Sequence, residues 1–338
     1  FSVESPSTTE VWHYLFEQST TTNVTTLRVY TEEFREMFSQ DLGPLQKRPA
    51  ISYAVALGQM FIGSPAFSSM LYGLPGGGII TAHKTESINP DTTALEIPTG
   101  HVCAFGDRFV IAQGNVLFFN DPPLANSVDP RTFVAQNAFA MNGTVYDLFQ
   151  GTDGNLYIFT SDGVFTLPPD AIAQGQSPAG YLSRVPGVEV SRPRNAVGTT
   201  GAIAVLQKDH ILLLPSGQRI DLVRRAGPRY TGLDVAVEDL RLAGELSATP
   251  TGFVVGFRAM QSFFLEGDIP TKSYGYHYGT PGGAISFQVV AMLRSRDNAP
   301  IYVMPANVFI PHTREVTEPT GQMFAIASGR VALSPQDN

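Results

Sequence analysis

The sequence predicts an all-β fold, a β-propeller, from three observations. A marker residue recurs about every 48 residues, at Gly58, Gly106, Gly154, Gly201, Gly252 and Pro300. Behind each marker lies an alternating apolar stretch, a polar turn and a second apolar stretch. Only 15% of the residues are charged, and there are 32 Gly and 25 Pro, which fits a β structure rich in turns. Strand pairs repeated at this spacing are typical of propeller blades.

Residues 1–50 lie outside the repeat and are predicted to form an N-terminal arm. Residues 24–30 read as a β-strand, which we expect to close the ring by completing the blade of the other terminus. Thr31, with Glu32 and Glu33, predicts the start of a short helix or an irregular connection. Gly43-Pro44 predicts its end.

Residues 51–338 are predicted to form the propeller itself. Gly114-Asn115, Asp162-Gly163 and Lys208-Asp209 are the turns between paired strands in three of the repeats. Counting the repeats favours six blades, with five as the alternative. The hairpin pattern at 321–335 either finishes the last blade or decorates it.

Three long polar or Pro-rich links separate the hairpins, at 74–100, 120–136 and 168–195. Part of each link must supply the outer strands of a four-stranded blade, and residues 188–190 are one such candidate. The remainder is expected to project from the rims as loops. Loops of this length are usually functional or interfacial, so we expect them to make contacts between subunits.

Composition excludes several classes of function. The net charge is −8, and the nearest approach to a basic patch, between Arg219 and Arg229, is interrupted by Asp221, so tight nucleic-acid binding is not expected. Cys103 is the sole cysteine, so no intrachain disulfide can form, and its apolar surroundings predict a buried, inert thiol. There is no run of 18 apolar residues and no secretory signal is recognised, so no membrane span is expected.

Catalytic and metal-binding patterns are not found in the sequence. The six histidines never occur at metal-ligand spacing, and no phosphate-binding or nucleophile motif occurs. Carboxylates could act around a propeller axis, but Asp next to Gly or Pro is more often a turn residue. The candidates are Asp107, Asp121, Asp129, Asp153, Asp209 and Asp268. We therefore predict a protein that is not an enzyme, with no catalytic residues, no cofactor and no metal.

Two aromatic features predict an interaction surface. The segment YGYHYG carries Tyr274, Tyr276 and Tyr278, which suit sugar stacking or a protein contact; the alternative is a strand whose tyrosines pack against a neighbouring blade. Trp12 is the sole tryptophan and lies in a polar N-terminal region. We expect it to dock on its own chain or on a partner subunit.

The segment 101–133 also resembles a known class of proteins. Gly106-Asp107-Arg108-Phe109, then Gly114-Asn115, Phe118-Phe119 and Asn120-Asp121-Pro122, follow a hairpin style that ends in a Pro-rich loop. In this the chain resembles the β-propeller virion proteins of tailed bacteriophages, of the tail-hub, tail-nozzle or packaged-DNA-stabilisation type. The similarity covers about residues 100–220.

This resemblance implies a non-enzymatic structural role in the virion. The chain would be a subunit of a ring in the phage tail or portal-proximal region, forming or gating the DNA path. Its partners would be copies of itself and other tail, portal or adaptor proteins, and DNA would pass without tight binding. The alternative is a carbohydrate-binding or glycan-cleaving propeller that uses Tyr274, Tyr276 and Tyr278 with acids at its axis. A scaffold propeller that binds peptides is a third reading.

Overall fold

In the residues that the computed structural model describes, the regular secondary structure is β-strand with two short 3-10 helices. The described residues are 1–4, 10–18, 22–45, 50–85, 93–121, 129–172, 178–199, 201–220, 241, 244–249, 252–257, 272–277, 280–285, 291–294, 300–305, 314–317 and 323–328. Within these residues the strands form seven four-stranded sheets. None of the helices in this part of the chain is both long enough and apolar enough to cross a membrane.

Sheets 1–4 contain the first sixteen strands. Sheet 1 consists of β1 (Ser2–Glu4), β2 (Val11–Gln18), β3 (Val24–Tyr30) and β4 (Glu36–Pro44). Sheet 2 consists of β5 (Ser52–Ala56), β6 (Gln59–Gly63), β7 (Leu71–Gly73) and β8 (Ile79–Thr81). Sheet 3 consists of β9 (His101–Phe105), β10 (Arg108–Gln113), β11 (Val116–Asn120) and β12 (Phe133–Ala140). Sheet 4 consists of β13 (Val145–Gln150), β14 (Leu156–Thr160), β15 (Gly163–Leu167) and β16 (Ser183–Arg184).

Sheets 5–7 contain the remaining twelve strands. Sheet 5 consists of β17 (Ala196–Gly198), β18 (Ile203–Leu206), β19 (Ile211–Leu214) and β20 (Gln218–Ile220). Sheet 6 consists of β21 (Gly244–Thr249), β22 (Gly252–Phe257), β23 (Lys272–His277) and β24 (Thr280–Ile285). Sheet 7 consists of β25 (Ala291–Arg294), β26 (Pro300–Pro305), β27 (Arg314–Thr317) and β28 (Met323–Ser328), in the order β25-β26-β28-β27.

Sheets 1–6 follow chain order from one edge to the other. Two compact units result, one spanning Val3–Glu189 and the other Val190–Asn338 with residues 1–2. In the first unit the leading strands β5, β9 and β13 lie side by side, as the inner strands of neighbouring propeller blades do. Sheets 2–7 account for the six blades predicted within residues 51–338, and β28 completes the last of them.

The N-terminal residues form a blade-like sheet instead of an arm. The closing-strand prediction is wrong, because β3 is hydrogen-bonded to β2 on one side and to β4 on the other. Of the short helix and the irregular connection predicted after Thr31, the helix is wrong. The amide of Phe34 donates to the carbonyl of Thr31, and that of Thr31 donates to Arg35, so the polar residues form a hairpin turn. The chain then continues as the extended strand β4.

Each long link supplies an outer strand of a four-stranded sheet, as predicted. The first contributes β8 and a single bridge between Ala94 and Val134. The second contributes the start of β12, and its residues 122–128 lie outside the described part. The third forms two 3-10 helices, Pro169–Ile172 and Pro178–Tyr181, and then β16. Residues 188–190 are not a strand, so that prediction is wrong; the two-residue β16 takes the outer position.

Apolar side chains on both faces of the strands build the core between adjacent sheets. Between sheets 2 and 3, Phe61, Phe109 and Phe133 are fully buried, and their rings meet edge to face. Between sheets 3 and 4, Leu117, Phe119, Leu156 and Ile158 form a second cluster. Runs such as FVIA and LYIF are buried at every position because each sheet is packed on both sides.

Candidate interaction surface

Trp12 packs on its own chain. It lies in β2 of sheet 1 against Gly76, which belongs to the β7–β8 turn of sheet 2. A Cβ atom added at Gly76 would lie 2.2 Å from Trp12 Nε1, so the indole rests directly on the glycine backbone. The amide of Gly76 donates a hydrogen bond of 3.0 Å to the hydroxyl of Tyr14. Of the two dockings expected for Trp12, the structure therefore shows the one within the chain.

This contact predicts the effect of substituting Gly76. Gly76 and Gly58 have similar positive φ angles, 75° and 72°, but nothing lies within 4 Å of a Cβ added at Gly58. Gly58→Ala should cost about 1 kcal/mol for the left-handed backbone alone. Gly76→Ala carries the same backbone cost and also displaces the indole, so we expect about 2 kcal/mol.

Fluorescence separates the two contributions, because Trp12 is the sole tryptophan. Gly76→Ala should change the native emission of Trp12 and lower the denaturation midpoint further than Gly58→Ala does. The Gly58→Ala variant should keep the wild-type spectrum. Equal destabilisation by the two substitutions, with unchanged emission in both, would show that the indole is not seated on Gly76.

The predicted tyrosine cluster is placed only in part. Tyr274 and Tyr276 occupy β23, where they stand in register with Val255 and Phe253 of β22. Phe253 is buried. Tyr278 lies outside the described residues. Trp12 belongs to the first compact unit and β23 to the second.

Asp129 and Asp153 are held by local polar contacts. Asp129 receives two hydrogen bonds from the guanidinium of Arg131, at 2.8 and 2.6 Å, and Arg131 lies over the ring of Tyr72. Burial would raise the pKa of Asp129, but the hydrogen bonds from Arg131 outweigh it and hold that pKa below its usual value. Asp153 accepts hydrogen bonds from Asn155 and from the hydroxyl of Tyr157. Both carboxylates thus stabilise local turns by hydrogen bonds, as predicted for Asp residues in turns.

Among the other acidic candidates that the structure describes, Asp121 and Asp209 also make local polar contacts. Asp121 accepts a hydrogen bond from the side-chain amide of Asn137. Asp209 lies 2.5 Å from His210 Nδ1 and 3.4 Å from Arg219, and the contact with His210 lowers the pKa of Asp209. Asp107 is exposed in the β9–β10 turn. Asp268 lies outside the described residues. No group of three or more His, Cys, Asp or Glu that could hold a metal ion occurs among the residues described.

Two buried titratable groups lie in β9. Cys103 is buried, and burial raises the pKa of its thiol to about 12, so the thiol stays protonated, as predicted for an inert cysteine. His101 is 2% exposed, and burial lowers its pKa to about 4. Its Nδ1 lies 3.9 Å from a carboxylate oxygen of Asp147, beyond hydrogen-bonding distance. Burial therefore has a larger effect on the pKa of His101 than the Asp147 carboxylate has, and His101 is neutral at pH 7.

Exposed apolar side chains are concentrated on sheet 2. The large hydrophobic residues with the greatest exposure in the described part are Met37, Tyr53, Leu57, Leu74, Ile80 and Tyr181. Four of these belong to residues 52–81, which form sheet 2. Leu57, 54% exposed, and Leu74, 57% exposed, lie in the β5–β6 and β7–β8 turns. In a four-stranded antiparallel sheet those two turns are at the same end, and Leu74 lies in the link 74–100 that is predicted to make contacts between subunits.

Comparison with known proteins supports the fold of this chain but does not identify its family or its function. No protein-family model matches the chain, and no curated protein matches it. Among solved structures, BBS1N in complex with ARL6DN has a TM-score of 0.50 at 13% identity, covering 98% of this chain and 91% of that one. A streptogramin B lyase has a TM-score of 0.45 at 9% identity, covering 97% and 96% of the two chains. An inactive virginiamycin B lyase from Staphylococcus aureus, solved with quinupristin, has a TM-score of 0.45 at 8% identity, covering 94% and 99%.

These structures are similar to this chain in fold alone. BBS1N is a β-propeller protein, and its similarity together with the four-stranded antiparallel sheets confirms the predicted fold class. None is a phage virion protein, so the resemblance to virion proteins rests on the sequence segment 101–133.

Proposed function

We propose that this chain is a non-enzymatic structural propeller that assembles with copies of itself through the turn end of sheet 2. The observation that carries the proposal is the exposed pair Leu57 and Leu74 at that end. Scattered exposed apolar residues are normal on a protein surface, but apolar residues gathered on one part of it mark interaction sites.

The backbone at Leu57 strengthens this argument. Leu57 has a φ of +54°, in the left-handed region where a side chain with a Cβ costs about 1–2 kcal/mol. Glycine or asparagine would suit this turn better. The leucine is also more than half exposed, so it contributes little to the core. Folding of the single chain does not explain a leucine at this position, whereas a contact with another copy of the chain would.

The assembly we propose is a closed ring, since most self-associating proteins form closed symmetric oligomers. The specific ring implied by the resemblance of segment 101–133 is one in the tail or portal-proximal region of a bacteriophage, with tail, portal or adaptor proteins as neighbours. The net charge of −8 suits a wall along which DNA moves without being trapped. Support for the virion setting comes from the sequence, whereas support for self-association comes from sheet 2.

The test is the oligomeric state of the full chain, measured by light scattering with negative-stain images of the same sample. We expect a ring for the wild type. The double variant Leu57→Asn/Leu74→Ser should dissociate at least tenfold more readily, which corresponds to about 1.4 kcal/mol. Asparagine tolerates the left-handed backbone, so position 57 should keep its turn.

Tyr181→Ser supplies the matched control, because Tyr181 is also exposed but lies between β15 and β16 of sheet 4. It should assemble as the wild type does. A wild-type chain that stays monomeric at every concentration, or a ring that survives the double substitution unchanged, would contradict the proposal.

A further inference from the structure

Asn142 and Gly143 form a bend between β12 and β13, where the chain passes from sheet 3 to sheet 4. They are the sole Asn-Gly pair in the sequence. Asn142 is exposed, and Gly143 has a φ of +80°, which glycine adopts without strain. Both residues belong to the compact unit Val3–Glu189.

The ends of the bend are held by hydrogen bonds to the turns on either side. On the side of sheet 3, the amide of Met141 donates to the carbonyl of Asn115 in the β10–β11 turn at 2.7 Å. On the side of sheet 4, the amide of Thr144 donates to Ser161 Oγ in the β14–β15 turn at 3.0 Å. The amide of Ser161 donates back to the carbonyl of Thr144 at 2.9 Å. The bend therefore connects the two sheets by hydrogen bonds as well as by the chain itself.

The centre of the bend has no hydrogen bonds of this kind. In the part of the chain that the structure describes, neither the amide of Gly143 nor the side chain of Asn142 makes a hydrogen bond. The Gly143 nitrogen has no side chain beside it to shield it. Its attack on the carboxamide carbon of Asn142 is intramolecular and closes a succinimide ring, so the two groups need not find each other by diffusion.

The Asp153-Gly154 turn contains a similar pair of groups in a protected form. The amide of Gly154 donates to the carbonyl of Gly151 at 3.0 Å. The carboxylate of Asp153 accepts hydrogen bonds from the side chain of Asn155 and the hydroxyl of Tyr157. Both the nitrogen and the acid group are thus engaged at this turn, whereas at Asn142-Gly143 both are open to reaction.

We propose that Asn142 is a site of spontaneous covalent modification, at which the asparagine is converted to aspartate and isoaspartate. The Gly143 nitrogen loses its proton and bonds to the carboxamide carbon of Asn142. The bond from that carbon to Nδ2 breaks, and Nδ2 leaves as ammonia with the proton. Water then opens the succinimide at either of its carbonyls, which gives aspartate or isoaspartate. Asparagine is a thermolabile residue for this kind of reason.

The new carboxylate should weaken the contact between sheets 3 and 4. The carboxyl carbon of Asp162 lies 3.1 Å from the position that a Cβ atom on Gly143 would take. A carboxylate at position 142 therefore comes close to an existing one, and like charges repel. The cation at this turn, Arg184, donates to the backbone carbonyl of Asp162 at 2.9 Å, so its charge is directed at the backbone.

Isoaspartate should weaken the same contact through the backbone. It adds a methylene to the main chain, which lengthens the path between Met141 and Thr144. Both of these residues are held by the hydrogen bonds described above, so the longer chain should strain or break one of them. Loss of such a bond lowers the stability of the folded chain.

Peptide mapping of the full chain by mass spectrometry tests this proposal. The folded protein is incubated at mildly alkaline pH, which favours loss of the amide proton, and is digested in acid beside an unincubated sample. Labelling by a protein isoaspartyl methyltransferase identifies isoaspartate, and hydroxylamine, which cleaves succinimides, should cut the chain after Asn142. We expect modification at Asn142 to be at least about tenfold faster than at Asn115 or Asn155, which corresponds to about 1.4 kcal/mol in activation free energy.

Substitutions connect the modification to stability. Asn142→Ser removes the carboxamide at an exposed position, so it should fold normally and give no product. Its melting temperature should be unchanged by incubation, whereas that of the wild type should fall. Asn155→Ser supplies the matched control, because it removes the same group from another turn, and its melting temperature should fall on incubation as that of the wild type does.

Three outcomes would overturn the inference. The first is that the incubated chain carries no more product at Asn142 than the unincubated sample. The second is that Asn115 or Asn155 is modified as fast, which would mean that the bend is not selective. The third is that the wild type and Asn142→Ser lose the same melting temperature on incubation, which would place the damage elsewhere in the chain.

Discussion

Replacing Phe109 by alanine is expected to lower the free energy of unfolding by about 3–5 kcal/mol, the range found for buried Phe→Ala substitutions. Phe109 is fully buried in β10. Its ring centroid lies 4.8 Å from that of Phe61 at an interplanar angle of 71°, an edge-to-face pair between sheets 3 and 2. Phe133 completes the cluster at 6.4 Å from Phe61. The rings are held by strands of two sheets, so the cavity left by alanine should not collapse.

Denaturant unfolding followed by Trp12 fluorescence measures this loss, because Trp12 and Phe109 belong to the same compact unit. Phe109→Leu keeps most of the buried volume and should cost less than about 1.5 kcal/mol. Phe165→Ala, at a partly buried position in β15, should also cost less than Phe109→Ala. If Phe109→Ala lost no more than Phe165→Ala, the aromatic cluster would not be the main contact between sheets 2 and 3.

Acidification should destabilise the fold through His101. Burial lowers its pKa in the folded chain to about 4, against an ordinary value of 6.5. The unfolded chain therefore binds this proton more readily, and stability falls as the pH falls. The loss should begin near pH 6.5 and be complete near pH 4. A difference of about 2.5 pKa units corresponds to roughly 3 kcal/mol.

Comparing the pH dependence of unfolding in wild type and His101→Gln isolates this contribution. The comparison is needed because burial also lowers the pKa of His13 to about 4, so His13 adds to the slope in the same window. His101→Gln should reduce the slope between pH 6.5 and 4 without removing it. His83→Gln, at an exposed histidine, should leave the slope unchanged. An unaltered slope in His101→Gln would mean that His101 is protonated in the folded chain near its ordinary pKa.

The strands and turns of this protein could be predicted from the sequence because they depend on residues that are close together along the chain. Alternating apolar residues around Asp162-Gly163 encode β14, a tight turn and β15 within a dozen positions. The 48-residue repetition of that pattern is enough to count the six sheets after residue 51. The local contacts of Asp153 could also be expected from its turn, since its hydrogen bonds come from residues two and four positions away.

Sheet 1 was missed because the sequence reveals local patterns only, and local patterns do not identify this sheet. Its strands lie outside the repeat, and the local signal Thr31-Glu32-Glu33 is compatible with a helix start as well as with a hairpin turn. Only pairing with β2 and β4 makes β3 an interior strand, and that pairing is a property of the folded chain. Leu57 shows a related limit, because its exposure and its left-handed backbone cannot be read from its identity.

What the sequence by itself determined is the β-propeller class, the hairpins and the burial of the apolar strands. The tertiary structure decided which surfaces meet: the indole of Trp12 on Gly76, the approach of His101 to Asp147, and the contact of Gly143 with Ser161. These partners are 18 to 64 positions apart in the chain. Hydrogen-bonded strands and turns follow from short-range preferences, whereas contacts between sheets depend on how whole sheets pack, which no local pattern encodes.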